Sequence, residues 1–302
     1  MPARTMGKIE VHTFPLPPNG FSPIDATDRD LSRYGFPRRP DPVKEPHASA
    51  MWVENFRRYH EFTHLLPEFE EHTDRVHGPN RRTVEGSQAE LNATSSNWSG
   101  EVAFVGGGDK FVWIVGAWTV PHVYTTPGAV GTEYCSAWLG LDGDGSNDVM
   151  QAGTEMDTDG SCYAWWEWYP NYEIRIPNFP VAFGDAISLV LCNTGASSAW
   201  MSIGNLTSKH YTSFSFSAPS GTTLVGNCAE AVLERPTVGG SLAALPRYGL
   251  IEFNDVTAYS QQGSWPIAAG TPVSMVDGAN VVSVPDPESG DADSVVVSYT
   301  GP

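Results

Sequence analysis

The sequence predicts an all-β fold for residues 92–302, an antiparallel β-sandwich of two sheets, preceded by a Pro-rich and partly helical extension over residues 1–91. Three observations carry this. Segments such as FVWIVGAWTV (111–120), DAISLVLC (185–192), YTSFSFSAP (211–219) and DSVVVSYTG (293–301) are short and rich in β-branched and aromatic residues. Gly, Asn, Asp or Pro separates most of them. No helical pattern of about 10–15 residues intervenes, which argues against a βαβ sheet.

Taken in order, residues 1–47 include FPLPPNGFSP and YGFPRRPDP, and prolines at that density oppose a long helix. From Ala48 the pattern changes. Trp52, Phe56, Tyr59 and Thr63 recur at three- and four-residue spacing, predicting an amphipathic helix near 48–66 that Pro67 ends. The charged stretch 70–90 reads as a linker, and Gly106–Gly108 as a hairpin tip.

Successive strand side chains alternate between faces, so residues two apart line one side. Trp138, Gly140 and Asp142 oppose Leu139 and Leu141; Gln151, Gly153 and Glu155 oppose Met150, Ala152 and Met156. Trp165, Glu167 and Tyr169 oppose Trp166 and Trp168, while Glu230, Val232 and Glu234 oppose Ala231 and Leu233. An ordinary solvated sheet face is the simplest outcome of such alternation. This face, however, has no Lys and sets large aromatics beside carboxylates, a composition suited to a substrate groove whose acids shift one another's pKa.

Charge narrows the function classes. Residues 1–90 hold 12 Lys and Arg against 14 Asp and Glu (−2), and residues 91–302 hold 5 against 21 (−16). So acidic a surface repels phosphates, so neither nucleic acid nor an anionic membrane is an expected partner. It suits acid conditions, where few fixed positive charges remain to repel one another, although acidity also serves solubility alone. No run of about 18 apolar residues predicts a membrane span, and MPARTMGKIEVHTF shows no apolar core of a secretory signal. Cys135, Cys162, Cys192 and Cys228 form no CxxC pair, leaving two disulfides or four buried thiols open.

The motifs SNWSG (96–100), GAWTVP (116–121), AWLGLDGDG (137–145), VMQAGTE (149–155), AWWEWYP (164–170), FGD (183–185) and CAEAVLERP (228–236) occur in that order. Together they resemble the glutamic peptidases, the eqolisin family of acid endopeptidases, over roughly residues 92–302. The resemblance implies a lectin-like (concanavalin-like) sandwich, a protein or peptide substrate, no cofactor or metal, and a monomer. It also implies an extracellular or acidic location. It assigns catalysis to Gln151 and Glu234, and substrate binding to Trp98, Trp138, Asp142, Glu155, Glu167 and Tyr169. Glu155 stands where some members carry Asp, and Trp166 replaces a Tyr. By position, residues 1–91 resemble a propeptide. The residue types suit the chemistry: a carboxylate can take a proton from water and return it to a leaving amine, while a neutral amide positions water and steadies an oxyanion.

Rival patterns are weaker. His60–His64 matches HExxH, but no third ligand follows and Pro67 lies one turn on. The run from Asp142 to Asp148 imitates a calcium loop, yet Asn147 replaces the required Gly and Gly153 stands in place of the closing Glu, so a turn is expected. With His122 and His210 alone beyond residue 92 and no GxSxG, a Ser-His-Asp triad lacks support. A glycoside hydrolase using Glu167 and Glu234, or a lectin-like module using the Trp residues, are the rivals on the same fold. Glu85, Glu90 and the sequons at Asn92, Asn97 and Asn205 read as surface features. The extension's basic residues are expected to pair with the acidic domain and shield its groove at neutral pH, with Arg38-Arg39, Arg57-Arg58 and Arg81-Arg82 as candidate processing points.

Overall fold

The computed structural model describes residues 4–83, 93–286 and 291–302. The extension contributes strands β1 (Arg4–Met6) and β2 (Ile9–His12), helices α1 (Asp28–Arg33) and α2 (Pro46–Phe56), then strands β3 (Thr63–His64), β4 (Glu70–His72) and β5 (Arg75–Val76). There follow β6 (Ala93–Ser95), β7 (Trp98–Phe104), β8 (Phe111–Thr119), β9 (Tyr134–Leu141), β10 (Met150–Asp157), β11 (Cys162–Trp168) and β12 (Glu173–Arg175). Next come β13 (Ala186–Gly195), β14 (Ser198–Asn205), β15 (His210–Ser217) and β16 (Cys228–Glu234). The chain closes on the strands Leu250–Ser260, Thr271–Asp277, Asn280–Asp286 and Val295–Tyr299.

Pairing sorts these into two antiparallel layers. One runs β7–β16–β9–β10–β11–β12–β4. The other runs from Leu250–Ser260 through β8–β13–β14–β15–β2–β1. The remaining closing strands join the layers along one edge. The expected alternation is what holds them face to face. Leu139, Ala152, Trp166 and Leu233 of the first layer meet Leu189, Met201 and Phe214 of the second in one apolar core. Trp166 lies 5.2 Å from the Phe214 ring and 4.6 Å from Phe216, and rings of this size dominate the burial energy.

The extension departs from expectation in two respects. The helix covers Pro46–Phe56 rather than 48–66, and after a 3-10 turn at Tyr59–Glu61 the chain straightens into β3. His60 is therefore exposed while His64 Nε2 meets the Tyr59 carbonyl at 2.9 Å, so the HExxH spacing falls on no shared helical face. Within the stretch read as a linker, β4 adds to the edge of the first layer at β12 and β5 pairs with Thr237–Val238. Short polar segments can do this because edge pairing uses main-chain groups and needs no apolar periodicity. The α-helical part packs Leu31, Phe36, Trp52, Phe56 and Tyr59 against Trp113, Val115, Val190 and Trp200, forming a second apolar core on the outer face of the second layer.

Other details resolve on inspection. Gly107 and Gly108 adopt φ of 68° and 86° in a turn, but that turn is not the expected hairpin tip: β7 pairs with β16 and β8 with β13, so it carries the chain from the first layer to the second. All four cysteines are free thiols, with Cys135, Cys192 and Cys228 buried. Asn97 and Asn205 are buried rather than surface residues: Asn205 Nδ2 donates to Asp185 Oδ2 (2.7 Å) and to the Pro180 carbonyl (3.0 Å), fixing the neighbouring loop. Glu85, Glu90 and Asn92 lie outside the described residues.

Candidate active site

The register of the first layer arranges its outer face in rows. Glu167, Gln151, Gly140 and Glu230 lie side by side. The next row holds Trp165, Gly153, Trp138 and Val232, and the one beyond holds Tyr163, Glu155, Ser136, Glu234 and Trp98. Gly140 and Gly153 leave the middle of this face without side chains, and that lack creates the concavity. A Cβ on Gly153 would strike the Ala137 carbonyl oxygen and the Trp138 side chain. Gly153→Ala should therefore lower the urea midpoint by the equivalent of about 1–3 kcal/mol, the usual cost of forcing an atom into a packed site.

Every residue of β10 and β16 is buried, on both faces. The cover on the concave side is the chain's own residues 75–80. His77 is fully buried, and its ring stacks on Trp165 at 3.8 Å and 9°. Its Nε2 lies 3.0 Å from Glu173 Oε2 and 3.6 Å from Glu155 Oε2, and its Nδ1 lies 3.3 Å from Glu234 Oε2. The His77 N–H donates to Glu167 Oε2 (3.0 Å), and its carbonyl accepts from Gln151 Nε2 (2.6 Å). Gly78 O accepts from Trp98 Nε1 (3.1 Å). Because this segment fills the groove, an open cavity of about 670 Å³ lies elsewhere, between the helical part of the extension and the second layer at Leu31, Trp113 and Trp200.

Around Glu234, Trp138 Nε1 donates to Oε2 (3.0 Å) and Asn97 Nδ2 to Oε1 (3.1 Å), so both carboxylate oxygens are held in place. Gln151 Oε1 is buried without a hydrogen-bond partner among the described residues. Of the residues assigned from the sequence, the structure gathers Gln151, Glu234, Trp98, Glu155 and Glu167 around His77 or Gly78, with Trp138 behind them on Glu234 and Trp98. Tyr169 flanks the same segment, 3.8 Å from where a Gly78 side chain would begin. Asp142 is not among them. Its carboxylate accepts the N–H groups of Gly226 and Asn227 at 2.8 and 3.0 Å, so it ties the loop before β16 in place. Asp144 pairs with Arg82 (2.6 Å) and Asp148 accepts from Trp168 Nε1 (3.0 Å), so the acidic run is a turn whose carboxylates have protein partners.

His77, Glu173 and Asn97 went unassigned in the sequence. Asn97 could have been found, since it is the Asn of SNWSG. Glu173 and His77 carry no motif and become visible only through pairing of β12 with β4. Across the groove, Arg75 bonds Glu155 (3.0 Å) and Asp157 (3.2 Å). Among the described residues, Arg75 and Arg82 are the extension's arginines that form ion pairs with the acidic domain. Arg38, Arg57 and Arg58 pair within the extension. Two of the extension's arginines thus reach the acidic residues, while the second core packs its helical part.

Burial disfavours charge on the His77 ring, but hydrogen bonds to Glu173 and Glu234 outweigh it and raise its pKa well above the ordinary range. Burial also pushes at Glu173, yet hydrogen bonds from His72 and His77 win and hold its carboxyl well below the usual carboxylate range. For Glu167 and Glu230 burial dominates and raises the pKa well above 4.5, and it takes Glu101 to about 8. The signs combine simply. The raised acids keep protons that the unfolded chain releases above about 4.5, so their contribution is lost as pH rises. His77 contributes fully below about 6.5 and also loses its contribution as pH rises through its folded value. Glu173 works in the opposite direction, contributing above about 4.5 and fading as pH falls. The unfolding free energy should therefore climb from pH 8 to about pH 5 and drop only below about pH 4, by up to about 1.4 kcal/mol per pH unit for each proton of difference, and the melting temperature should move with it. Differential scanning calorimetry across that range checks it; a steady fall from pH 8 to 5 would contradict the assignment.

Comparison with known proteins adds an independent line. Residues 96–299 match the model of the Peptidase A4 family. Aspergillopepsin-2 of Aspergillus niger is 30% identical over 227 residues, which span 68% of this chain and 78% of that protein. A crystal structure of scytalido-glutamic peptidase with a transition-state-analogue inhibitor superposes with a TM-score of 0.61 at 23% identity, covering 68% of this chain and 98% of that one. SCP-B, a member of the eqolisin peptidases solved with the tripeptide Ala-Ile-His, gives 0.54 at 21% identity over 68% of this chain and 98% of its own.

Proposed function

The chain belongs to the Peptidase A4 family and is a glutamic endopeptidase, and from that premise we propose that it cleaves peptide bonds at acid pH with Glu234 as the proton-transferring base and acid and Gln151 as its neutral partner. In this reading Glu234 takes a proton from water as the water oxygen attacks the scissile carbonyl. Gln151 Nε2 donates to the developing oxyanion, and Glu234 then passes the proton to the departing nitrogen. Trp98, Trp138, Glu155, Glu167 and Tyr169 line the substrate path, Asp142 acts at one remove through its loop, and the sandwich keeps its lectin-like likeness. Residues 1–91 form an extension that shields the groove of the 92–302 peptidase domain, and the enzyme acts as a monomer.

The observation that carries this reading is the 2.6 Å hydrogen bond from Gln151 Nε2 to a peptide carbonyl inside the groove. Gln151 Oε1, buried and without a hydrogen-bond partner among the described residues, can accept from a nucleophilic water. The groove's occupant also supports it: Arg75-Val76-His77 places a β-branched residue followed by His beside the proposed dyad, in the order of the Ala-Ile-His tripeptide solved with SCP-B. Incubation with denatured casein and with polysaccharides at about pH 3–4 tests the reading. Casein should be cut and the polysaccharides left whole; the reverse would favour a glycosidase built on Glu167 and Glu234.

A further inference from the structure

The two oxygens of Glu234 are fixed by different kinds of donor. Trp138 Nε1 donates to Oε2 (3.0 Å), and an indole nitrogen can do nothing but donate. Asn97 Nδ2 donates to Oε1 (3.1 Å) and is the one hydrogen-bond partner of that oxygen among the described residues. An amide carries an acceptor as well as a donor, similar in shape, so a second contact must hold it the right way round. Ser95 supplies that contact. Its Oγ accepts the N–H groups of Asn97 (3.2 Å) and Trp98 (3.1 Å), which occupy both lone pairs of a hydroxyl. The single hydroxyl proton is left for Asn97 Oδ1 at 2.9 Å. With the amide oxygen held by Ser95, the NH₂ end must face Glu234.

The Arg81 N–H also reaches Asn97 Oδ1 (2.9 Å), in the same sense. Arg81 belongs to the extension, however, whereas Ser95, Asn97 and Glu234 lie beyond it, so the hydroxyl lock does not depend on the extension. Main-chain contacts set the spacing. Trp98 is the register partner of Glu234, the Arg235 N–H donates to the Asn97 carbonyl (3.0 Å), and Arg235 Nε donates to the Ser96 carbonyl (2.7 Å). Ser95, Asn97 and Glu234 are each at most 1% exposed, so water does not compete for these bonds. Asn97 Nδ2 has a second N–H, which faces the Gly78 (3.4 Å) and Pro79 (3.3 Å) carbonyls. Peptide binding alone is therefore the rival role for Asn97.

From this geometry, and resting on the role given to Glu234 above, we propose that Ser95 and Asn97 are positioning residues for the peptidase reaction. Ser95 fixes the sense of the Asn97 amide. Asn97 in turn fixes Oε1, so that the carboxylate plane stays aligned with the attacking water and the scissile carbonyl. Held at Oε2 alone, the carboxylate would swing about its bond to Trp138, and a base displaced by even about 1 Å loses much of its rate. An Asn97 amide turned over would set oxygen against oxygen and push Glu234 out of line.

Full-length Asn97→Ala, Asn97→Leu, Ser95→Ala and the double variant Ser95→Ala/Asn97→Ala test this beside Glu234→Gln, with a fluorogenic peptide at about pH 4. Melting curves show which variants fold. Asn97→Ala should lower kcat by about 10–100-fold, the worth of one hydrogen bond to a charged group, with KM within about twofold of wild type. Asn97→Leu restores the bulk without a donor, should be as slow, and carries the comparison if the alanine variant does not fold. Ser95→Ala should lower kcat by about 10-fold, because the freed amide can turn its oxygen toward Glu234. In the double variant the loss should fall well short of the product of the two single losses, since Ser95 acts through Asn97. A rise in KM with kcat kept would make Asn97 a binding group and overturn the proposal. Losses that multiply in the double variant would mean that Ser95 does not act through the amide, and would overturn it too. Wild-type kcat in both Asn97 variants beside an inactive Glu234→Gln refutes the positioning pair while the acid peptidase stands. Activity kept in Glu234→Gln removes the base, and the proposal falls with it.

Discussion

Glu234→Gln should remove peptidase activity almost completely, by roughly 10³–10⁴-fold in kcat/KM, because a neutral amide can neither take the water's proton nor return it to the leaving nitrogen. The substitution is close to isosteric. One of Trp138 Nε1 and Asn97 Nδ2 can still donate to the amide oxygen while the other faces its NH₂, so one hydrogen bond is lost but circular dichroism should stay close to wild type. Gln151→Ala removes the oxyanion donor and should cost about 10²–10³-fold. Gln151→Glu restores the volume but sets a carboxylate beside Glu167 and Glu230, and should not restore the rate. Glu230 is the informative comparison. It occupies Gln151's own register row across Gly140, and its oxygens have no hydrogen-bond partner among the described residues. Unlike Glu234, it forms no hydrogen bond or ion pair with the described residues of the segment lying in the groove. A fluorogenic peptide assay on the four variants separates the two acids: loss in Glu230→Gln with activity kept in Glu234→Gln would move the base four residues back along β16.

The fold was legible where burial imposes a period. Met150, Ala152 and Met156, or Trp166 and Trp168, alternate with polar residues because one face must enter the core, and those faces do enter it. The groove face was legible for a related reason. An amide, two acids and a tryptophan at Gln151, Glu155, Glu167 and Trp165 have no place on an ordinary solvated sheet, and strand register alone then brings them together. The failures also have physical causes. Asp142 alternates in phase with Trp138 and Gly140, yet it sits at φ 69° just beyond the end of β9, where the pleat no longer directs its side chain. Two-residue strands such as β3 and β5 are set by a partner's edge and leave no period of their own. His77 was illegible for the strongest reason: nothing in DRVHGPN distinguishes a linker from an occupant of the groove. What decides the matter is a set of carboxylates 96 and 157 residues further along the chain, Glu173 and Glu234.

Trp52→Ala should have the largest effect on stability outside the groove, about 3–5 kcal/mol, because it removes a fully buried indole at the centre of the second core. Trp52 packs 4.7 Å from the Phe56 ring and beneath the Arg39 guanidinium at 5.0 Å, and Phe56 in turn meets Trp200 of the second layer at 5.9 Å. The extension is thus more than a cover for the groove. Trp113, Val115, Val190 and Trp200 form an apolar patch on the outer face of the sandwich, and residues of the extension, Phe36, Trp52 and Phe56 among them, cover it. A chain starting at residue 93 should therefore aggregate or melt early, even though its catalytic groups are all present. Urea unfolding of Trp52→Ala and size-exclusion chromatography of the shortened chain check both expectations; a wild-type midpoint together with a stable, unaggregated shortened chain would mean that the second core contributes little.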